Sequence, residues 1–248
     1  MKRPVSLWIS VCAAAVAALT SCSSYYSEHY QGALAGNAND QYAIGSCYDD
    51  GDGGVPGGRA DKAQAAAWYL KAANQGHANA QNNLALLYRD GEGVAESKAT
   101  AAAWFEKSAM QGNKYAQYNL GRMYDDLVES YEDDTPSHKQ AADALKSAAH
   151  WYSLAAAQGH HDAQHALARC YDMATYNNLR RKKGVFFDLG GDCRNTKAYW
   201  ALAKKWYAEA ASGGKDKYKK DYATFKEIGS AVISRVNIYP SYLSEVSS

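Results

Sequence analysis

Ala80-Gln81-Asn82-Asn83-Leu84-Ala85-Leu86-Leu87-Tyr88, followed by Ala103-Trp104-Phe105-Glu106-Lys107-Ser108-Ala109-Met110-Gln111-Gly112, decides the fold. Ala80, Leu84, Leu87 and Tyr88 recur at i, i+4, i+7 and i+8, one face of a helix. Call this helix A. The second segment has the same period and stops at Gly112, where a left-handed glycine ends a helix. Call it helix B. Small residues such as Ala73 and Ala85 let two helices approach closely, with large aromatics filling the space between them. Trp68, Trp104, Trp151 and Trp206 are therefore expected to be largely buried between helices.

Both segments recur. Helix A begins again at Gly36, Gly112 and Gly159, ending in Tyr48, Tyr124 and Tyr171. Helix B recurs around Trp68, Trp151 and Trp206, ending in Gly76, Gly159 and Gly214. The step from Trp68, Trp104 and Trp151 to the next A tyrosine is 20 residues in every case. The step from A tyrosine to B tryptophan is 20, 16, 27 and 35 residues, so insertions of 4, 11 and 19 fall between A and B. Rigid turns on one side and variable loops on the other are the mark of a stacked repeat array.

These residues resemble the Sel1-like repeat family, relatives of tetratricopeptide repeats. The shared pattern is A-Q-x-x-L-[GA]-x-x-Y-x-x-G-x-G-V followed by A-x-W-[YF]-x-K-A-A-x-Q-G, over about residues 36–223. The resemblance implies an all-α fold, a right-handed α-solenoid of antiparallel helix pairs. It also implies a scaffold or adaptor that binds a protein or peptide. Repeats three and four depart from the pattern by losing the Gly91-Glu92-Gly93-Val94 loop. The cysteine-rich branch of the family closes a disulfide in each repeat, which this chain lacks. Members of that branch have been described as weak penicillin-binding or penicillin-hydrolysing proteins, which supplies an alternative, enzymatic reading.

The N-terminus reads as an address. Lys2 and Arg3 precede an apolar run from Val5 to Leu19, ending in Leu19-Thr20-Ser21-Cys22. The run is too short to span a bilayer comfortably. It resembles a bacterial lipoprotein signal, with Cys22 as the acylated mature N-terminus. Ser23 after the cysteine suggests the outer membrane, facing the periplasm. The organisation expected is 1–21 signal peptide, 22–35 lipidated cysteine, tether and N-terminal cap, 36–214 repeats with loop insertions at 125–145 and 172–198, and 215–248 capping helix and tail. Residues 28–35 read as a worn helix B, residues 23–27 as the tether, and the final helix as running to about Ile233.

The chain has 27 Lys+Arg and 26 Asp+Glu, a net charge of +1. Loss of Lys2 and Arg3 leaves 25 basic against 26 acidic side chains. A balanced chain of this kind is no broad nucleic-acid binder. Cys47 and Cys170 share the repeat slot of Leu87 and Met123 and read as small buried hydrophobes. A Cys170–Cys193 bridge stays open as an alternative.

Catalytic motifs are scarce. Ser212-Gly213-Gly214-Lys215 spells Ser-x-x-Lys but lies across a repeat turn, without the partner motifs such chemistry needs. His161 and His165 have a metal-compatible i, i+4 spacing, yet His160 shares its slot with His77 and Asn113 and reads as a turn residue. Asp49-Asp50-Gly51-Asp52-Gly53 fails the calcium-loop spacing. No cofactor or metal is expected. Asp125–Asp134 holds six carboxylates, and Arg180–Lys183 four cations, read as neighbouring loops that pair.

Solenoids of this type line their concave face with helix A. With Leu84, Leu120 and Leu167 buried, the inward slots lie five and two residues before each leucine and two after. They give Asn79, Asn82 and Leu86; Tyr115, Tyr118 and Arg122; Asp162, His165 and Arg169; and, in repeat one, Asn39, Tyr42 and Ser46. The candidate partner-binding residues are Tyr42, Asn79, Asn82, Tyr115, Tyr118, Arg122, His165 and Arg169. Asn pairs with backbone amides, Tyr offers rigid contact area, and Arg grips carboxylates.

Overall fold

The structure is a computed structural model, and it describes residues 25–51, 55–130, 137–180 and 196–238. Among these residues it is all helix. α1 covers 25–34. It is followed by α2 (Ala38–Asp50), α3 (Lys62–Asn74), α4 (Ala78–Asp90), α5 (Lys98–Met110), α6 (Lys114–Ser130), α7 (Ser137–Ala157), α8 (His161–Arg180), α9 (Thr196–Ser212) and α10 (Asp216–Ile238). They group into two units, Met1–Asn113 with α1–α5 and Lys114–Ser248 with α6–α10. Within each unit, consecutive helices pack as hairpins.

The constant B-to-A turn has a local cause. At the end of α3, the amide of His77 returns to the Ala72 carbonyl and that of Gly76 to Ala73. Gly76 holds φ at +89°, where a side chain is strained. His77 then caps α4, its Nδ1 accepting from the Ala80 amide at 3.1 Å. His160 caps α8 in the same way, accepting from Ala163 at 3.2 Å. These histidines close the turn, as their shared slot suggested.

A glutamine ladder registers the hairpins. Gln81 Nε2 donates to the Ala73 carbonyl at 3.0 Å, reaching back to the preceding helix B. Gln111, at the end of the repeat's own helix B, donates to Gln81 Oε1 at 2.7 Å. Gln75 to Gln41 and Gln158 to Gln117 repeat the second bond at 2.7 and 2.8 Å. Both glutamines of the motif therefore serve the backbone and each other inside the stack.

The aromatic pair of helix B divides its work differently from the sequence expectation. Tyr69, Phe105, Tyr152 and Tyr207 are the buried members. Of the tryptophans, Trp68 is buried, whereas Trp104, Trp151 and Trp206 are only half-buried. Neighbouring residues of a helix point about 100° apart, so the two aromatics cannot share one surface. The second ring lies against its own helix A, Tyr69 over Gly45 and Tyr152 over Gly121. The tryptophan turns to the preceding helices, Trp68 onto Ala33 and Ile44. At Trp68 and Trp104 a lysine three residues on covers the outer face: Lys71 Nζ stands 3.7 Å from the Trp68 ring and Lys107 4.1 Å from Trp104.

Three boundaries differ from expectation. Tyr25, Tyr26 and Ser27, read as tether, are the first residues of α1. Tyr26 stacks on Tyr30 and meets Tyr48 edge-on, so its ring belongs to the cap. Much of the inserted sequence is helix rather than loop: α6 runs on to Ser130, α7 begins at Ser137, and α8 runs to Arg180. The final helix reaches Ile238, past the expected Ile233. Cys47 and Cys170 are buried as expected. Cys22, Cys193 and Lys182–Lys183 lie outside the described residues.

Candidate partner-binding groove

Within the unit Lys114–Ser248, a groove of about 440 Å³ is lined by α6 on one side, α10 on the other and α8 between. α6 supplies Tyr118, Arg122, Asp125 and Asp126; α8 supplies Asp162, His165 and Arg169; α10 supplies Lys217, Tyr218 and Asp221. The size suits a small ligand or a short chain segment. The inward-slot rule, applied around the buried Leu120 and Leu167, takes the residues two before and two after each leucine. It brings four of the eight candidates together here: Tyr118, Arg122, His165 and Arg169.

Their surroundings differ. Tyr118 stacks on His160 at 4.7 Å and tilts against Tyr152 at 5.8 Å. His165 is buried and forms part of the floor, stacked on Tyr218 at 4.5 Å with Nε2 2.9 Å from Asp221. Asp162 accepts from Lys215 and from the Tyr218 hydroxyl. Asp125 accepts from Tyr152 at 3.4 Å and stands 4.0 Å from Arg169. It faces the groove from a helix rather than an acidic loop. Lys215 and Tyr218 hold Asp162 below the usual carboxylate range, against the effect of burial.

The other four candidates lie elsewhere. Tyr42 is half-buried, stacked on His77 at 4.6 Å and tilted against Tyr69 at 5.8 Å. Asn79 is exposed and accepts from Asn113 at 2.7 Å. Asn82 is buried, 6% exposed, and donates to Asn83 at 3.1 Å. Tyr115 is 55% exposed, with its ring edge toward His160.

Lys217, Tyr218 and Asp221 are not among the candidates, because the sequence reads α10 as a capping helix even though Tyr218, Tyr222 and Ala223 fall in helix A slots. Placing Tyr222 in the leucine slot puts Lys217 five residues before it, an inward slot. Among the described residues, the groups of the weaker motifs have partners of their own. Ser212 donates to the Glu209 carbonyl at 2.6 Å while Lys215 is held by Asp162. His161 faces Gln164 and His165 faces Asp221. Asp49 accepts from Lys62 at 2.6 Å and from Tyr69 at 3.2 Å.

Burial pushes the His77, His160 and His165 pKa values below the ordinary imidazole value. For His160, Lys114 and Lys215 act in the same direction, and Asp162 opposes. For His165, Asp221 opposes while Arg169 and Lys217 add to the lowering. Each histidine is thus harder to protonate folded than unfolded. At neutral pH both states are neutral and nothing is lost. As pH falls below about 6.5 the unfolded chain takes up protons first, so stability declines. Denaturant midpoints between pH 7.5 and 5 should fall, and replacing His77 and His160 by Asn, which keeps the caps, should flatten that decline. A midpoint that rises over this range would contradict the assignment.

Comparison with known proteins agrees with this architecture. The Sel1 repeat family model matches residues 38–77, 78–113, 114–160 and 201–215, more than half of the chain. The chain belongs to the Sel1 repeat family. Among solved structures it is similar to a protective antigen of uropathogenic Escherichia coli displaying an SLR fold, at 29% identity and a TM-score of 0.56. That match covers 78% of this chain but 34% of the antigen, so this chain spans about a third of its length. A Sel1 repeat protein from Oxalobacter formigenes is similar at 26% identity, covering 82% of this chain and 88% of the other, with a TM-score of 0.47. A search of curated proteins gives no match. Among the described residues the protein is an all-α repeat protein, and Sel1 repeats generally mediate protein–protein interactions.

Proposed function

We propose that this protein is a lipid-anchored scaffold of the bacterial envelope that holds a protein or peptide partner. The observation that carries the partner-binding part is the groove, where rigid tyrosines and ionic side chains from four helices, α6, α7, α8 and α10, converge on a space open to solvent. Tyrosine and arginine are the residue types that dominate binding energy at protein interfaces. The address rests on the N-terminal sequence: a basic start, an apolar run, and Leu19-Thr20-Ser21-Cys22. Acyl chains on Cys22 supply about 0.8 kcal/mol per buried methylene, and Ser23 favours the outer membrane facing the periplasm. Among the described residues no helix is long and apolar enough to cross a membrane.

Two experiments separate the parts of this reading. Replacing Tyr118, Arg122 and Arg169 together by alanine should leave the helical circular dichroism signal intact and abolish the protein's crosslinks in the native envelope. An unchanged set of crosslinked proteins would remove the groove from the account. Replacing Cys22 by serine should stop incorporation of a palmitate analogue and leave unprocessed or soluble protein. A labelled serine variant would sink the anchoring part alone.

A further inference from the structure

The groove's charges do not cancel in a way that leaves it indifferent. Four carboxylates and three cations line it, so net charge does not choose the ligand; unspent hydrogen-bonding capacity does. The acceptors are largely engaged. Asp125 accepts from Tyr152, Asp162 from Lys215 and Tyr218, and Asp221 pairs with His165. Asp126, which is exposed, is the exception and sits one helical turn beyond Arg122. The donors are not engaged to the same degree. Among the described residues, neither Arg122 nor Lys217 has an ion-pair partner, and the Tyr118 hydroxyl has no hydrogen bond. These three come from opposite walls, α6 and α10, and line the same space.

A site that offers a guanidinium, an ammonium and a phenol around one cleft asks for an anion with several acceptor lone pairs. Charge-assisted bonds from Arg to a planar carboxylate are the strongest such contact. We propose that the groove captures the C-terminal carboxylate of a partner polypeptide, held between Arg122 and Lys217 with the last side chains against Tyr118. This rests on the partner-binding reading above and names the chemistry of the partner. The small volume favours a chain end over a folded surface, and Arg122, Lys217 and Tyr118 line one and the same space.

The test uses the full chain in detergent against immobilised short peptides of random sequence. Each peptide is made with a free C-terminal carboxylate, as its C-terminal amide, and as an amide carrying an internal Glu. The expected result is a subset that binds as free acids and loses about tenfold or more in affinity on amidation. Arg122→Gln and Lys217→Gln should each erase that preference, Arg122→Lys should keep part of it, and all should unfold at the wild-type midpoint. Binding that ignores amidation, that follows the internal Glu, or that keeps its acid preference in Arg122→Gln overturns the proposal. If no peptide binds while the groove triple variant still loses its envelope crosslinks, the carboxylate inference fails and the partner-binding reading stands. If the crosslinks are also indifferent to the triple variant, both fail.

Discussion

Truncating Tyr152 to alanine is expected to destabilise the unit Lys114–Ser248 by about 3–5 kcal/mol, the cost of emptying a large aromatic site in a packed core. Its side chain is 1% exposed, in a cluster with Leu145, Leu167, Cys170 and Tyr199. Its hydroxyl donates to Asp125, so the loss also removes that hydrogen bond. Trp151→Ala next door should cost distinctly less, because Trp151 is half-buried. Denaturant unfolding read by circular dichroism checks both. Equal losses at the two positions would contradict the assignment of the inner aromatic.

Gly121→Val should destabilise the same unit by about 1–3 kcal/mol or more through overpacking. A Cβ at Gly121 would stand 2.7 Å from two ring carbons of Tyr152. That ring is enclosed and cannot swing away. Replacing a helix-interior glycine by valine normally gains about a few tenths of a kcal/mol, so a net loss means the clash outweighs the propensity gain. The same substitution in a Tyr152→Ala background should cost little, since the ring it strikes is gone. Additive losses would show that the two positions do not meet.

The fold was legible because its signals are local and repeated. Period, glycine stops and the constant 20-residue step each depend on residues close in sequence. The direction of the tryptophans was not legible, since Trp151 and Tyr152 are adjacent large aromatics and only packing tells which faces Gly121. The two motif glutamines gave no hint of their bonds, which join residues 30 to 41 apart. At the groove, the slot rule placed Tyr118, Arg122, His165 and Arg169 together because it follows helix geometry. It could not see that Asn82 is buried or that His77 covers one face of Tyr42, since both depend on neighbouring helices. Asp125 was read as loop because an insertion beside a helix end looks alike whether it coils or adds turns.

The central claim is that the partner meets the helix-A side of the second unit. The most direct measurement places a photo-crosslinking amino acid at single positions in living cells. Position 118 lies in the groove, whereas position 154, where Leu154 is 38% exposed on α7, lies outside it. The account predicts a discrete crosslinked partner from position 118, suppressed by Arg122→Gln, and none from position 154. The same partner captured from position 154 and not from position 118 would contradict it.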